Sequence, residues 1–240
     1  MPPPPHRDLR NLVHKLGANA RPSQQKTALA TIAGLVCDPE NLVAIANAGA
    51  IPPLVRLMGH GSPADVQRDA AGTLGVLAAS RENAAKIAAA GAIPPLVQVL
   101  RSGASIEAQE AAAGALSNLA RSAENAVAIA AAGGIPPLMQ LIASRSPARA
   151  QATATGALAA LARIPEIAGT VAAAGAVPPL VQLLGAGPPE MVQSNAAMVL
   201  MHLAWVAEIA TTIAAAGAIP PLVQLLLGPG SEAKSFASLH

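Results

Sequence analysis

The sequence predicts an all-helical solenoid, and three observations carry that reading. A ten-residue string, Gly-Ala-Ile-Pro-Pro-Leu-Val-Gln-Leu-Leu or a close variant, starts at Gly49, Gly91, Gly133, Gly175 and Gly217, always 42 residues apart. The stretches between copies are rich in helix-forming residues, and their apolar positions recur at spacings of three and four, one face of a helix. A unit of this length cannot bury its apolar side alone, so neighbours must stack into one continuous core. The unbroken register reads as a single domain.

Taken in order, Met-Pro-Pro-Pro-Pro opens residues 1–6 as a short disordered, Pro-rich tail, and no apolar run long enough for a signal peptide follows the first charges. Residues 7–37 read as a partial, capping repeat. Arg7 to Leu16 lies one period before Gly49 and keeps Leu9, Leu12, Val13 and Leu16 apolar, while Asp8, Arg10, His14 and Lys15 add charge. Four units follow at 38–79, 80–121, 122–163 and 164–205, and an incomplete one spans 206–240. No polar cap is visible in that last unit, which predicts either a longer chain or a terminal face that pairs with something.

Within the unit at 122–163, Ser122 is a helix N-cap type of residue and Glu124 suits a first turn; Val127, Ile129 and Ala130 follow before Gly133 ends a short first helix. Pro39 and Pro165 occupy the position just past the cap in other copies, where a missing N–H costs nothing. Pro136 and Pro137 open a second helix, with Leu138, Leu141 and Ile142 on one face, and Ala143 to Pro147 form the loop after it. The third helix is the longest. Its columns are Gln25, Gln67, Gln109, Gln151 and Gln193; then Ala28, Ala70, Ala112, Ala154 and Ala196; then Ile32, Leu74, Leu116, Leu158 and Leu200; and Leu35, Leu77, Leu119, Leu161 and Leu203. With no Tyr and one Phe, the core must be Leu, Ile, Val and Ala. The repeated Gln and the Glu at 40, 82, 124, 166 and 208 read as structural, because capping contacts repeat with a fold and binding sites seldom do.

Composition narrows the function. Fifteen Lys and Arg against 13 Asp and Glu leave a net charge of +2, without the dense basic footprint of a nucleic-acid binder. One cysteine, Cys37, excludes an internal disulfide, no Asn-X-Ser/Thr sequon occurs, and a reducing cytoplasmic or nuclear setting is expected. Ile209 to Gly228 is uncharged and long enough to suggest a membrane span, but its Pro pair breaks any single helix there and no span is expected. The histidines at 6, 14, 60, 202 and 240 show no metal-ligand spacing. Gly228 to Ser235 looks faintly like a phosphate loop but lacks the Gly before Lys234 and follows a helix rather than a strand. Cys37 has no neighbour that marks a nucleophile. No enzyme, metal or cofactor is expected.

Three helices per 42-residue unit, with Gly-Ala-Ile-Pro-Pro-Leu-Val-Gln-Leu-Leu at the second, resemble the armadillo repeat family over about Arg7 to Leu239. The run Ile106 to Leu119 looks most like armadillo proteins of plants and algae. The resemblance implies a right-handed α-solenoid, or superhelix, whose third helices line a concave groove holding an extended peptide or a helix of a partner. It therefore implies a non-enzymatic scaffold or adaptor. Plant armadillo proteins often carry a U-box, so the substrate-recognition part of a ubiquitin ligase is an alternative, although no U-box occurs in this sequence. A nuclear-import adaptor is a further one. Family members of that type carry a ladder of Trp and, four residues later, Asn; here the Trp column reads Ala30, Gly72, Gly114, Gly156 and Met198, and the Asn column Gly34, Val76, Asn118, Ala160 and His202. Only Asn118 matches, and the residues before Arg21 lack a dense basic arm.

Subtracting the buried columns leaves an outward series on each third helix: Asp65, Arg68, Asp69, Gly72, Val76 and Ala79 in one copy, Glu107, Glu110, Ala111, Gly114, Asn118 and Arg121 in the next. In the copy before the last it becomes Met191, Ser194, Asn195, Met198, His202 and Trp205. Large side chains stand where Ala and Gly would suffice, and Met and Trp are favoured at binding surfaces. The candidate partner-binding set is therefore Met191, Asn195, Met198, His202 and Trp205, joined by Asn118, Glu110 and Arg121. Packing against the final unit is the competing reading for Met198, Met201 and Trp205, and a satisfied surface or core histidine for His202. Asn118 either holds a partner's main chain or faces solvent. Between Arg163 and Lys234 the only charges are Glu166, Glu190, Glu208 and Glu232, so this third of the chain is unusually apolar and favours a partner or self-association.

Overall fold

A computed structural model describes residues 6–59, 61–102, 105–143, 146–185 and 187–227. Among the described residues there are sixteen α-helices and no strand. In chain order they are α1 (His6–Lys15), α2 (Pro22–Leu35), α3 (Asn41–Asn47), α4 (Ile51–Leu57), α5 (Ala64–Leu77), α6 (Arg81–Ala89), α7 (Ile93–Arg101) and α8 (Ile106–Leu119). There follow α9 (Ala123–Ala131), α10 (Ile135–Ala143), α11 (Ala148–Ala162), α12 (Pro165–Ala173), α13 (Val177–Leu183), α14 (Glu190–Ala204), α15 (Ala207–Ala215) and α16 (Ile219–Leu227). Each 42-residue unit contributes a short first helix, a Pro-opened second helix and a longer third one.

The helix boundaries follow from local chemistry. Gly49, Gly91, Gly133, Gly175 and Gly217 all have φ between 73° and 87°, the left-handed conformation that ends each first helix without a Cβ penalty. At the far ends of α1, α4, α7 and α13 the repeated Gln acts as a cap. Gln109 Nε2 donates to Leu100 O at 2.8 Å, Gln193 Nε2 to Gly185 O at 2.6 Å, Gln25 Nε2 to Gly17 O at 2.8 Å, and Gln67 Nε2 to Gly59 O at 3.2 Å. Each serves a carbonyl left without a helical partner.

Some local expectations fail. Ser122 does sit at the N-cap of α9, though its side chain makes no cap hydrogen bond, whereas Ser105 accepts one from Ala108 N at 3.1 Å. Pro39 lies in a turn before α3, with Glu40 at the cap, while Pro165 does open α12. In α9 the inward residues are Asn125, Ala126 and Ile129, and Val127 faces solvent one hundred degrees further round. His6, expected in the tail, is the first residue of α1; residues 1–5 lie outside the described residues, as do His60, Gly228 to Ser235 and His240.

The chain divides into two compact units, Met1–Leu138 and Met139–His240, the division falling within α10. In the first, α2, α5 and α8 pack in succession, and α4 and α7 lie on α5 and α8. In the second, α14 packs on α11, α12, α13 and α15. The Ala column is buried throughout, as are Ile32 and the Leu columns apart from Leu35. Close approach of α5 and α8 depends on Gly75, where an added Cβ would lie 3.2 Å from Ala115 Cα. No single helix among the described residues is long and apolar enough to cross a membrane; across Ile209 to Leu227 the chain bends by 85° between α15 and α16.

Candidate functional site

Helix α14 places its side chains in two sets. Val192, Ala196, Val199, Leu200 and Leu203 point inward. On the other side, Met191 is 67% exposed, Met198 44% and Trp205 68%, and Met201 is also exposed. The spacing of seven from Met191 to Met198 to Trp205 lays them along one stripe.

His202 departs from the outward series, being buried on the same helix. Its ring meets Trp205 edge to face, with centroids 5.1 Å apart and planes at 80°, and its Nδ1 has no hydrogen-bond partner. Burial, reinforced by the positive charge of Arg163, pushes the His202 pKa down. The neutral ring buttresses Trp205 and leaves the indole as the exposed element of the pair.

Asn195, half-buried, donates from Nδ2 to Ala152 O at 2.9 Å, an oxygen that also accepts the Thr155 hydroxyl at 3.0 Å. In the other unit Asn118, half-buried, donates one N–H from Nδ2 to Gly75 O at 2.9 Å. Gly75 O lies in the last turn of α5, among the carbonyls that lack intrahelical partners. Arg121 is exposed and donates to Ala79 O at 3.4 Å, and Glu110 is half-buried on α8. The two asparagines and Arg121 thus tie one third helix to the preceding one.

The outward charges at the start of α5 are locally matched. Lys26 pairs with Asp65, and Arg68 with Asp69 at 2.7 Å. The Asp65 carboxyl is held below its usual range by Lys26, and that of Glu107 by its own backbone N–H and Ser105 at the start of α8. Met191, Met198 and Trp205 have no such charged neighbours on α14 beyond Glu190. A hollow of about 220 Å³ between α1 and α2 is lined by Leu12, Lys15, Ser23, Gln24, Thr27 and Ala28 and is smaller than ordinary ligand pockets. Among the described residues no group of three or more His, Cys, Asp or Glu side chains converges as a metal site, and nothing shows catalysis.

The sequence pattern of the armadillo/beta-catenin-like repeat matches residues 38–79, 80–121 and 165–204. Among solved structures, the chain is similar to an engineered protein at 32% identity and a TM-score of 0.84, covering 96% of this chain and 94% of that one. It is also similar to a designed armadillo repeat protein in complex with the peptide (KR)4, at 28% identity and a TM-score of 0.83, over 96% and 97% of the two chains. Computationally designed armadillo repeat proteins for modular peptide recognition match at 29% identity and a TM-score of 0.84, over 96% of this chain and 97% of that one. No curated protein matches. All three neighbours are engineered, so they carry no lineage, and the likeness to plant and algal proteins rests on the motif alone.

Proposed function

This chain belongs to the armadillo/beta-catenin-like repeat family, and we propose that it is a non-catalytic adaptor that grips a partner polypeptide on its third helices, most strongly at Met191, Met198 and Trp205. The observation that carries the reading is the exposure of these three large side chains along one stripe of α14, while the aliphatic columns of the same helix are buried. Exposed Met and Trp at this spacing form an anchor of the kind that dominates binding energy elsewhere. A designed relative of the same fold holds a peptide, (KR)4, which supports a polypeptide as the ligand class. The exposed thiol of Cys37 fits a reducing cytoplasmic or nuclear setting.

The partner segment is apolar or aromatic rather than basic. No Lys or Arg lies between Arg163 and Lys234, the acidic residues there are few, and the one asparagine of the import-adaptor ladder, Asn118, already gives one N–H to Gly75 O. Selection of a displayed random-peptide library against the full chain tests the reading. Enriched peptides should carry bulky apolar residues and should lose at least most of their binding when Met198→Ala and Trp205→Ala are combined, with the melting temperature little changed. Enriched peptides that bind the double variant as tightly as the parent chain would place the site elsewhere, and selection of Lys/Arg-rich peptides would favour the transport reading.

A further inference from the structure

Two Ser-Pro dipeptides occur in the chain, Ser62-Pro63 and Ser146-Pro147, and they fall at the same register two periods apart, each just ahead of a third helix. Both continue with Ala, at 64 and 148, and then diverge: Asp65 follows in the first copy and Arg149 in the second. Pro63, Pro147, Ala148 and Arg149 are exposed, and Ser62 and Ser146 are half-buried. Pro147 has extended backbone, with φ −52° and ψ 143°, and α11 begins at Ala148. The third helices of the other complete units carry an acidic residue in the first turn, Asp65 in α5, Glu107 in α8 and Glu190 in α14. Helix α11 has none and places Arg149 there instead. A cation at that end opposes the helix dipole, so this turn of α11 unwinds at low cost. In the first copy Asp65 pairs with Lys26 and accepts from Val66 N, and the Ser62 N–H donates to Gly59 O at 3.2 Å, contacts that hold the turn closed.

We propose that Ser146 is a phosphorylation site for a proline-directed protein kinase that also selects a basic residue three positions on, and that Ser62 is not. Such a kinase takes its substrate extended. A proline next to the acceptor suits a cleft that offers no partner to a backbone N–H, since proline has none and its φ is fixed. Arg149 supplies the charge by which such kinases choose among substrates. In the transfer, Ser146 Oγ forms a bond to the γ-phosphorus of ATP while the bond from that phosphorus to ADP breaks, and the hydroxyl proton passes to the kinase's carboxylate base. The product carries a charge of about −1.5 to −2 at pH 7. Beside Arg149 it supplies the negative charge that the first turn of α11 lacks. The same phosphate on Ser62 would meet the Asp65 carboxylate three residues on, a like charge. The site lies outside α14 and does not rest on the reading of Met191, Met198 and Trp205.

The test incubates the full chain with a purified cyclin-dependent kinase, its cyclin and ATP, and reads phosphate by peptide mass spectrometry and stability by circular dichroism melts. Phosphate is expected on Ser146 roughly tenfold or more faster than on Ser62. The phosphorylated chain is expected to melt about 2 to 4 °C higher than the unmodified one, a rise that Ser146→Ala abolishes. Arg149→Asp should slow Ser146 to the rate of Ser62, and Asp65→Arg should speed Ser62. Melts of the unmodified variants establish that they remain folded. No phosphate on Ser146, equal rates at the two serines, or a phosphorylated chain that melts no higher overturns the proposal. So does an Arg149→Asp variant modified at Ser146 as fast as the parent chain, because the basic residue would then play no part in selection.

Discussion

His202 is the residue whose environment most changes its chemistry. It is buried, it has an unpartnered Nδ1, and burial together with Arg163 lowers its pKa below the ordinary value near 6.5. The unfolded chain therefore takes up the proton first as the pH falls, and stability declines from about pH 6.5 downward until the folded-state pKa is passed. Above that range the ring is neutral in both states and contributes no pH dependence. His202→Gln removes the titration, so its urea midpoint should fall less between pH 7 and pH 5 than that of the parent chain; equal losses would show that His202 is not the group responsible. Exposure separates the remaining side chains in the same way. Leu116, 1% exposed in the core, should cost about 2 to 5 kcal/mol when cut to Ala. Trp205→Ala, at a position 68% exposed, should stay within about 0.5 kcal/mol of the parent chain in the same urea titration. A loss at Trp205 comparable to that at Leu116 would make the stripe packing rather than a binding surface.

Between elements, the repeated amides do the joining. Gln109 caps the end of α7, and Asn118 reaches back across a full repeat to Gly75 O in α5. Gln109→Ala and Asn118→Ala should each lower the unfolding free energy by about 0.5 to 1.5 kcal/mol, because a carbonyl loses its donor. Asn118→Ala should leave peptide capture on α14 intact; parallel loss of stability and capture would mean that Asn118 also touches the partner. The Gln column was legible as structural because it repeats five times with the fold. The role of Asn118 was not, since nothing in its spacing says that this column leans over the preceding third helix. Burial in this column differs from copy to copy: His202 is buried, whereas Val76 is 41% exposed. A further column went unread: Asn41, Asn83 and Asn125 follow the repeated Glu, are buried, and give way to Ile167 and Ile209 in the later copies. Asn83 Nδ2 donates to Leu42 O at 3.1 Å, joining α6 to α3, a contact between units that no single-unit pattern contains.

Across the molecule, the 42-residue period made the helices, their order and the aliphatic core readable, because each helix is specified within its own unit. What the period conceals is the difference between an interior copy and the last one. Ile219 and Leu226 are apolar like their buried counterparts, yet they are 58% and 86% exposed. Charge is distributed just as unevenly. The outward residues of α5 and α8 are charged, with Asp65 and Asp69 already paired, whereas residues 164–233 contain three glutamates within the described part and no Lys or Arg. Binding to α14 should therefore depend on apolar contact far more than on long-range attraction. Once a peptide has been selected on Met191, Met198 and Trp205, its affinity for the full chain should change by less than about threefold between 50 and 500 mM salt, where exposed charges are largely screened. Calorimetry should show a negative heat-capacity change, the mark of buried apolar surface. A basic peptide such as (KR)4 held by charge would instead weaken steeply over that salt range; if the selected peptide does the same, the recognition surface is the charged face of α5 and α8, and the Met and Trp stripe is not its anchor.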